Sequence, residues 1–302
     1  MNVPDAGEPR GAVGAPAALL EARGLTRRFG GLVAVDDVSL SVFPGEVRAL
    51  IGSNGAGKST LVAMLVGRLA PSSGTVHFEG RDVTALAPAR RVALGMGYTF
   101  QITRIFPELD VDENVAVALQ RHVAPGVRDA AIAAALDRFE LGALARRRAG
   151  ELSYGHRRLL ELAMATAGEP RLLMLDEPTQ GLSDAEIENF AGVVRALAER
   201  CTILLIEHNM AVVMNLASRV SVLHEGRLLA DGAPAEIRAN EAVQRAYLGM
   251  PTGGSAGGST GGSTGGSAGG STGGSAGGST GGSTGTIADP AASVAPDDGR
   301  RT

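Results

Sequence analysis

The chain has 302 residues, 44% of them apolar and 20% charged, with a formal net charge of −4. That is ample apolar matter for a packed core, and the acidic balance argues against a nucleic-acid partner, which calls for a basic face. One cysteine, Cys201, excludes an internal disulfide and a multi-cysteine zinc module. No run of about eighteen apolar residues and no secretory leader pattern is present, so a reducing cytosol is the expected compartment.

In chain order, residues 1–18 are rich in Pro, Gly and Ala and are expected to be disordered, with the folded unit at 19–250. The first strong element is "GEVRALIG", a β-branched and apolar run that predicts a buried strand near 47–51. It leads through "SNGAGKST" into "LVAMLVGRLA", whose apolar spacing predicts a helix. The loop reads G-x-x-x-x-G-K-S-T over Gly52, Ser53, Asn54, Gly55, Ala56, Gly57, Lys58, Ser59 and Thr60. Strand, glycine loop and helix in that order form a cup of backbone N–H groups around a phosphate. Lys58 is the only lysine; every other basic residue among the 28 Lys+Arg is Arg. A compact ammonium on a slim stem enters such a cup as a point charge, whereas a planar guanidinium is the wrong shape.

Further along, "RDAAIAAALDRFELGALARRR" (128–148) has helical composition and an apolar stripe, with Arg146 to Arg148 read as a solvated helix face. "RLLMLDEPTQGLSD" predicts a second buried strand near 171–175, with Asp176 and Glu177 at its C-terminal end, where parallel sheets place ligands. Asp176 suits Mg²⁺ held through its water shell. Glu177, one residue on and pointing differently, suits proton acceptance from an attacking water. "CTILLIEHNM" repeats the layout near 202–206, with Glu207 and His208 at its end. Three such strands interleaved with helices predict a doubly wound α/β sheet.

Between these segments lies "ELSYGHRRLLELAMA", which resembles the signature of ATP-binding cassette (ABC) ATPases, usually written LSGGQ. Its five places hold Leu152, Ser153, Tyr154, Gly155 and His156. Ser153 and Gly155 match the positions that face phosphate in this family; Tyr154 and His156 depart from the commonest form. "LTRRFGGLVAVDDVSL" is similar to the family's opening strands, with Phe29 at the place of the aromatic that stacks on adenine, or else a core Phe. "GYTFQ" supplies Gln101, similar to the glutamine that senses Mg²⁺ and the attacking water. "GLSD" at 181–184 resembles the D-loop, and His208 matches the switch histidine that contacts the γ-phosphate.

The resemblance covers 21–249 and implies an α/β P-loop NTPase core, a RecA-like sheet with an antiparallel β subdomain, and a helical subdomain inserted at about 102–165. It implies ATP and Mg²⁺ as cofactors. Lys58 and the loop amides would hold the β- and γ-phosphates and Thr60 the α-phosphate. Ser59, Asp176 and Gln101 would stand at the metal, and Glu177, His208 and Gln101 would serve hydrolysis. Ser153 and Gly155 would complete the site of a second cassette, identical or paralogous.

The implied partners also include two integral membrane permease subunits and, indirectly, a periplasmic or extracellular solute-binding protein, with the chain on the cytoplasmic face of the plasma membrane. "ITRIFPELDVDENV" (102–115) is similar to the groove that receives a permease coupling helix; Ile105, Phe106 and Leu109 are its candidate contacts, or ordinary core residues. "RFGGLVAVDDVSL", "IEHNM" and the ending "AYLG" are most similar to importers of branched-chain amino acids. A urea or short-amide importer, and a soluble cassette acting as an assembly or signalling module, are the alternatives. A regulatory GTPase is excluded, because its Asn-Lys-x-Asp guanine reader needs a lysine other than Lys58. Residues 253–284 are eight GGSA or GGST tetrapeptides, so 251–286 is expected to be a flexible linker before a disordered tail at 287–302. About 36 residues of Gly/Ser coil span about 30–36 Å.

Overall fold

In the computed structural model, residues 17–99, 104–120 and 122–248 are described. The expectations for residues 1–16, for Gln101 and for the linker and tail lie outside them. In chain order the strands are β1 (Leu20–Phe29), β2 (Leu32–Val42), β3 (Val47–Gly52), β4 (Ser73–Phe78), β5 (Arg81–Asp82), β6 (Met96–Tyr98), β7 (Leu172–Asp176), β8 (Thr202–Ile206), β9 (Arg219–His224) and β10 (Arg227–Gly232). They form an antiparallel sheet of order β2-β1-β4-β5 and a six-stranded sheet of order β10-β9-β3-β8-β7-β6, parallel except for the β9–β10 pair.

The three apolar runs of the sequence are the central strands β3, β8 and β7, buried at every position. Full burial is what a parallel strand covered on both faces requires. Because side chains alternate, each strand feeds two cores. Leu173, Leu175, Ile203 and Leu205 pack with the helices, whereas Leu172, Met174, Leu204 and Ile206 pack toward the antiparallel sheet.

Between β6 and β7 the chain is helical: α3 (Val111–Leu119), α4 (Arg128–Arg138) and α5 (Tyr154–Thr166), numbered after α1 (Lys58–Leu65) and α2 (Pro88–Ala93). Of the stretch 128–148, helical in composition, α4 takes only Arg128–Arg138. Glu140 takes φ +57, and the Leu141 N–H reaches back to the Leu136 carbonyl at 2.9 Å, a left-handed stop that turns the buried Phe139 and Leu141 into the core. Arg146 to Arg148 are therefore not on a helix face. They are solvated turn residues that pair with Asp112, Glu151 and Glu108. Among the described residues four α-helices follow: α6 (Asp184–Ala198), α7 (Met210–Leu216), α8 (Pro234–Ala239) and the short α9 (Glu241–Val243).

One buried guanidinium ties the phosphate-loop helix to its surroundings. Arg91 on α2 is 1% exposed and donates to the carbonyls of Met64 (2.9 Å) and Leu65 (2.6 Å) at the C-terminal end of α1, and to Leu86 and Thr84. Burial pushes its pKa down to about 10, which still leaves it charged at neutral pH. The arrangement satisfies carbonyls that α1 cannot bond itself and sets a cation at the negative end of its dipole. Replacing Arg91 by Met removes the donor to the Leu65, Leu86 and Thr84 carbonyls, while Met64 keeps the Gly67 N–H at 3.1 Å. It is expected to lower the unfolding free energy by at least about 3 kcal/mol in urea denaturation. A loss below about 1 kcal/mol would show that α1 does not depend on this contact.

Candidate functional site

The site begins where β3 ends. Gly52 has no room for a side chain, since a Cβ there would lie 2.3 Å from the Leu223 carbonyl oxygen of β9. Gly57, at φ +101, would place a Cβ 2.4 Å from the Ala34 carbonyl oxygen of β2. These two glycines let the loop thread between neighbouring strands and enter α1 at Lys58. No acidic residue occupies the first turn of α1, so its free N–H groups and positive dipole end remain available to an anion. The hollow above them, about 280 Å³, is lined by Ala34, by the loop from Asn54 to Thr60, and by Glu177.

Lys58 is buried (6% exposed), and its ammonium donates to the carbonyls of Gly52 (2.7 Å) and Ser53 (3.2 Å). Burial pushes its pKa down, an effect only partly offset by the charges of Glu177 and Asp176. A cation held this way is short of an anionic partner, which a polyphosphate supplies.

Asp176 and Glu177 end β7 beside it. Burial of Asp176 raises its carboxyl pKa, opposed by the Tyr98 hydroxyl, which donates to Oδ2 at 2.9 Å. Burial, then the charge and hydrogen bond of Asp176, keep that phenol firmly protonated. Glu177 adopts φ +45 and donates its N–H to the Ile206 carbonyl at 2.9 Å. A left-handed conformation is costly for a non-glycine residue and recurs at functional positions. Glu177 lines the phosphate-loop hollow, with Oε2 3.9 Å from Nδ1 of His208 just past the end of β8.

The structure thus brings Lys58, Asp176, Glu177 and His208 to one edge of the sheet. Ser59, exposed, and Thr60, half-buried, open α1 in the same hollow. Phe29 is not a core residue: its ring is 46% exposed, with the Arg27 guanidinium 4.7 Å from the ring centroid. Gln101 lies outside the described residues. Sequence reasoning missed Tyr98, although "GYTFQ" contains it, because only the β6–β7 pairing shows that it reaches Asp176.

The signature segment stands elsewhere. Ser153 caps α5, accepting from the His156 N–H at 3.3 Å, and its hydroxyl lies 2.9 Å from His156 Nδ1. Ser153, Tyr154 and His156 are exposed, and Leu152 anchors them in the core. Ser153, Gly155 and His156 line a separate hollow of about 140 Å³ that opens beside Glu186 and shares no lining residue with the phosphate-loop hollow.

An oxygen-only set of one hydroxyl, Ser59, and one buried carboxylate, Asp176, fits Mg²⁺, which keeps most of its water shell and takes phosphate oxygens as further ligands. Among the described residues no cluster of three or more His, Cys, Asp or Glu could cage a metal permanently.

A phosphate loop beneath acidic strand ends, joined to an antiparallel sheet and an inserted helical region, defines an ATP-binding cassette, a P-loop ATPase. A family model described as "ABC transporter" matches residues 35–180, and one described as "Branched-chain amino acid ATP-binding cassette transporter" matches 227–249. The high-affinity branched-chain amino acid transport ATP-binding proteins BraF of Pseudomonas aeruginosa and LivG of Escherichia coli K12 are each 39% identical over 249 residues, spanning 76% of this chain and 98% of theirs. A crystal structure of the ADP conformation of an ATP-binding cassette superposes with a TM-score of 0.70 at 29% identity, covering 78% of this chain and all of that one. The chain belongs to the ATP-binding subunits of ABC transporters, and its chemistry is ATP hydrolysis.

The site carries an electrostatic cost that can be measured. The folded-state pKa of Asp176 is raised, so its ionised form costs stability above the unfolded pKa, and that cost is relieved as pH falls. Asp176→Asn keeps an acceptor for Tyr98 and removes the buried charge. At pH 7 it is expected to raise the melting temperature of the nucleotide-free protein while abolishing turnover. An unchanged or lower melting temperature would contradict the desolvation cost.

Proposed function

We propose that this chain hydrolyses ATP as one half of a head-to-tail pair of cassettes, on the cytoplasmic face of the membrane, and thereby drives branched-chain amino acid uptake through two permease subunits. The observation that carries this reading is that one chain presents two exposed half-sites with no lining residue in common. A phosphate loop has no signature facing it, and a signature has no phosphate loop, so a second cassette completes both.

Phosphoryl transfer needs positioning and charge compensation more than covalent chemistry. Lys58 exchanges its two carbonyl contacts for the β- and γ-phosphates, and the first-turn amides of α1 close around them. Thr60 reaches the α-phosphate. Ser59 and Asp176, with Gln101, hold Mg²⁺, which supplies charge neutralisation on the phosphate oxygens. Glu177 accepts the proton of the attacking water and His208 contacts the γ-phosphate. The adenine stacks on Phe29, and the facing cassette contributes its own Ser153 and Gly155. ATP joins the two subunits and its cleavage releases them, which turns chemistry into motion.

The permease contact is proposed at the loop before α3. There Asn114, fully buried, accepts from the Phe106 N–H (2.8 Å) and donates to the Phe106 carbonyl (3.0 Å), presenting a ring that is 48% exposed. Ile105 and Leu109 are half-buried behind it. An apolar hollow of about 140 Å³ near Pro88, Val92 and Tyr98 offers further surface for a coupling helix. No helix among the described residues is long and apolar enough to cross a membrane, so passage of solute falls to the partners. The branched-chain assignment rests on the C-terminal match at 227–249 and on the relatives' names.

Glu177→Gln is expected to bind ATP, lower turnover at least about 100-fold and accumulate as an ATP-dependent dimer by size-exclusion chromatography. Undiminished turnover would remove Glu177 from the role of base. Affinity capture from native membranes is expected to recover polytopic permease subunits; recovery of soluble partners alone would favour the assembly-module alternative.

A further inference from the structure

Glu207 stands beside His208 at the reactive edge, yet no step above uses it. Its side chain turns inward and is fully buried. A buried carboxylate is tolerated only where its oxygens are well met. Here Oε1 accepts from the Thr179 N–H at 3.1 Å and the Thr179 hydroxyl at 2.5 Å, and Oε2 accepts from the N–H groups of His208 at 3.0 Å and Asn209 at 3.2 Å. All four donors are backbone amides or a hydroxyl, so the contact depends on direction as well as charge.

The position of these bonds gives them meaning. The β7–β8 pairing ends at Asp176 opposite Ile206, and the Glu177 N–H to the Ile206 carbonyl is its last rung. Beyond that point the strands part, one toward Pro178 and Thr179, the other toward His208. The Glu207 carboxylate bridges the gap. One oxygen holds the turn that leaves Glu177, and the other holds the backbone that carries His208.

We infer that Glu207 is a positioning residue for hydrolysis: through Thr179 and the His208 amide it fixes Glu177 and His208 relative to one another. This rests on the proposed roles of those two residues at the γ-phosphate. Only a carboxylate offers acceptors on both oxygens, because a glutamine would turn an NH₂ group toward one pair of donors. The phosphate cup is built on β3 and α1, so the loss should fall on the rate and spare nucleotide binding.

The test uses the full chain and measures steady-state ATPase activity and equilibrium ATP affinity for Glu207→Gln, Thr179→Val and Thr179→Ser, with Glu177→Gln as reference. Glu207→Gln is expected to lower kcat at least about tenfold, as loss of hydrogen bonds to a charged group does. Its Kd for ATP should stay within about twofold of wild type, and Glu207→Gln/Thr179→Val should be no slower than the slower single variant. Thr179→Ser retains the hydroxyl and should retain turnover, while Thr179→Val should fall with Glu207→Gln. Packing alone predicts the reverse order, since Val keeps the branched shape that Ser lacks. If Thr179→Val matches Thr179→Ser and Glu207→Gln keeps wild-type turnover while Glu177→Gln is dead, the positioning role is overturned and the base assignment stands. If Glu177→Gln is itself active, the base assignment falls and this inference with it. Should Glu207→Gln not fold, the Thr179 pair decides alone.

Discussion

The in-register parallel pairing of β3, β8 and β7 is the constraint on which the site depends. Leu50 and Asp176 both pair with Ile206, so β7 and β8 end level, β3 runs two residues further along β9 to Gly52, and all three release their functional residues at one edge. From β3 comes the phosphate loop, from β7 Asp176 and Glu177, and from β8 Glu207 and His208. A slip of one residue on any strand would exchange its two faces, setting apolar residues against the wrong core and moving a charged strand end out of reach. The apolar cores on either side of the sheet thus hold register as well as stability.

That scaffold supports a site whose charged groups are poorly served without ligand. Burial acts against the charge on Lys58 and on Asp176, and Glu177 is held in a left-handed conformation. In the proposed mechanism a triphosphate and its metal would counter two of these penalties together: the anion would partner the ammonium and the cation would partner the carboxylate. Stability forgone in the free protein becomes preference for the bound state, as expected where function and stability compete.

Much of this was legible in the sequence because it is local. The glycine loop, the strand-end acids and the strand–loop–helix order, the longest of them running only from Val47 to Leu65, each lie in one short stretch of chain and obey short-range rules. The signature needed comparison with a family, since nothing in Leu152 to His156 announces chemistry by itself. What escaped was set by contacts between distant segments. Tyr98 reaches Asp176 only because β6 lies beside β7, and Glu207 was visible as a strand-end acid whose inward turn toward Thr179 was not. The helix-face reading of Arg146 to Arg148 failed because composition does not report the left-handed stop at Glu140.

The central claim is that the two half-sites of a chain serve different nucleotides. Complementation between inactive variants tests it most directly. Lys58→Ala disables the phosphate loop, and Ser153→Asp preserves the cap of α5 while setting a negative charge against phosphate. Each variant alone should be inactive. Mixed dimers should regain ATPase activity, because one of their two composite sites then joins an intact loop from one protomer to an intact signature from the other. A mixture that forms ATP-dependent mixed dimers yet is as inactive as its parents would contradict the shared site.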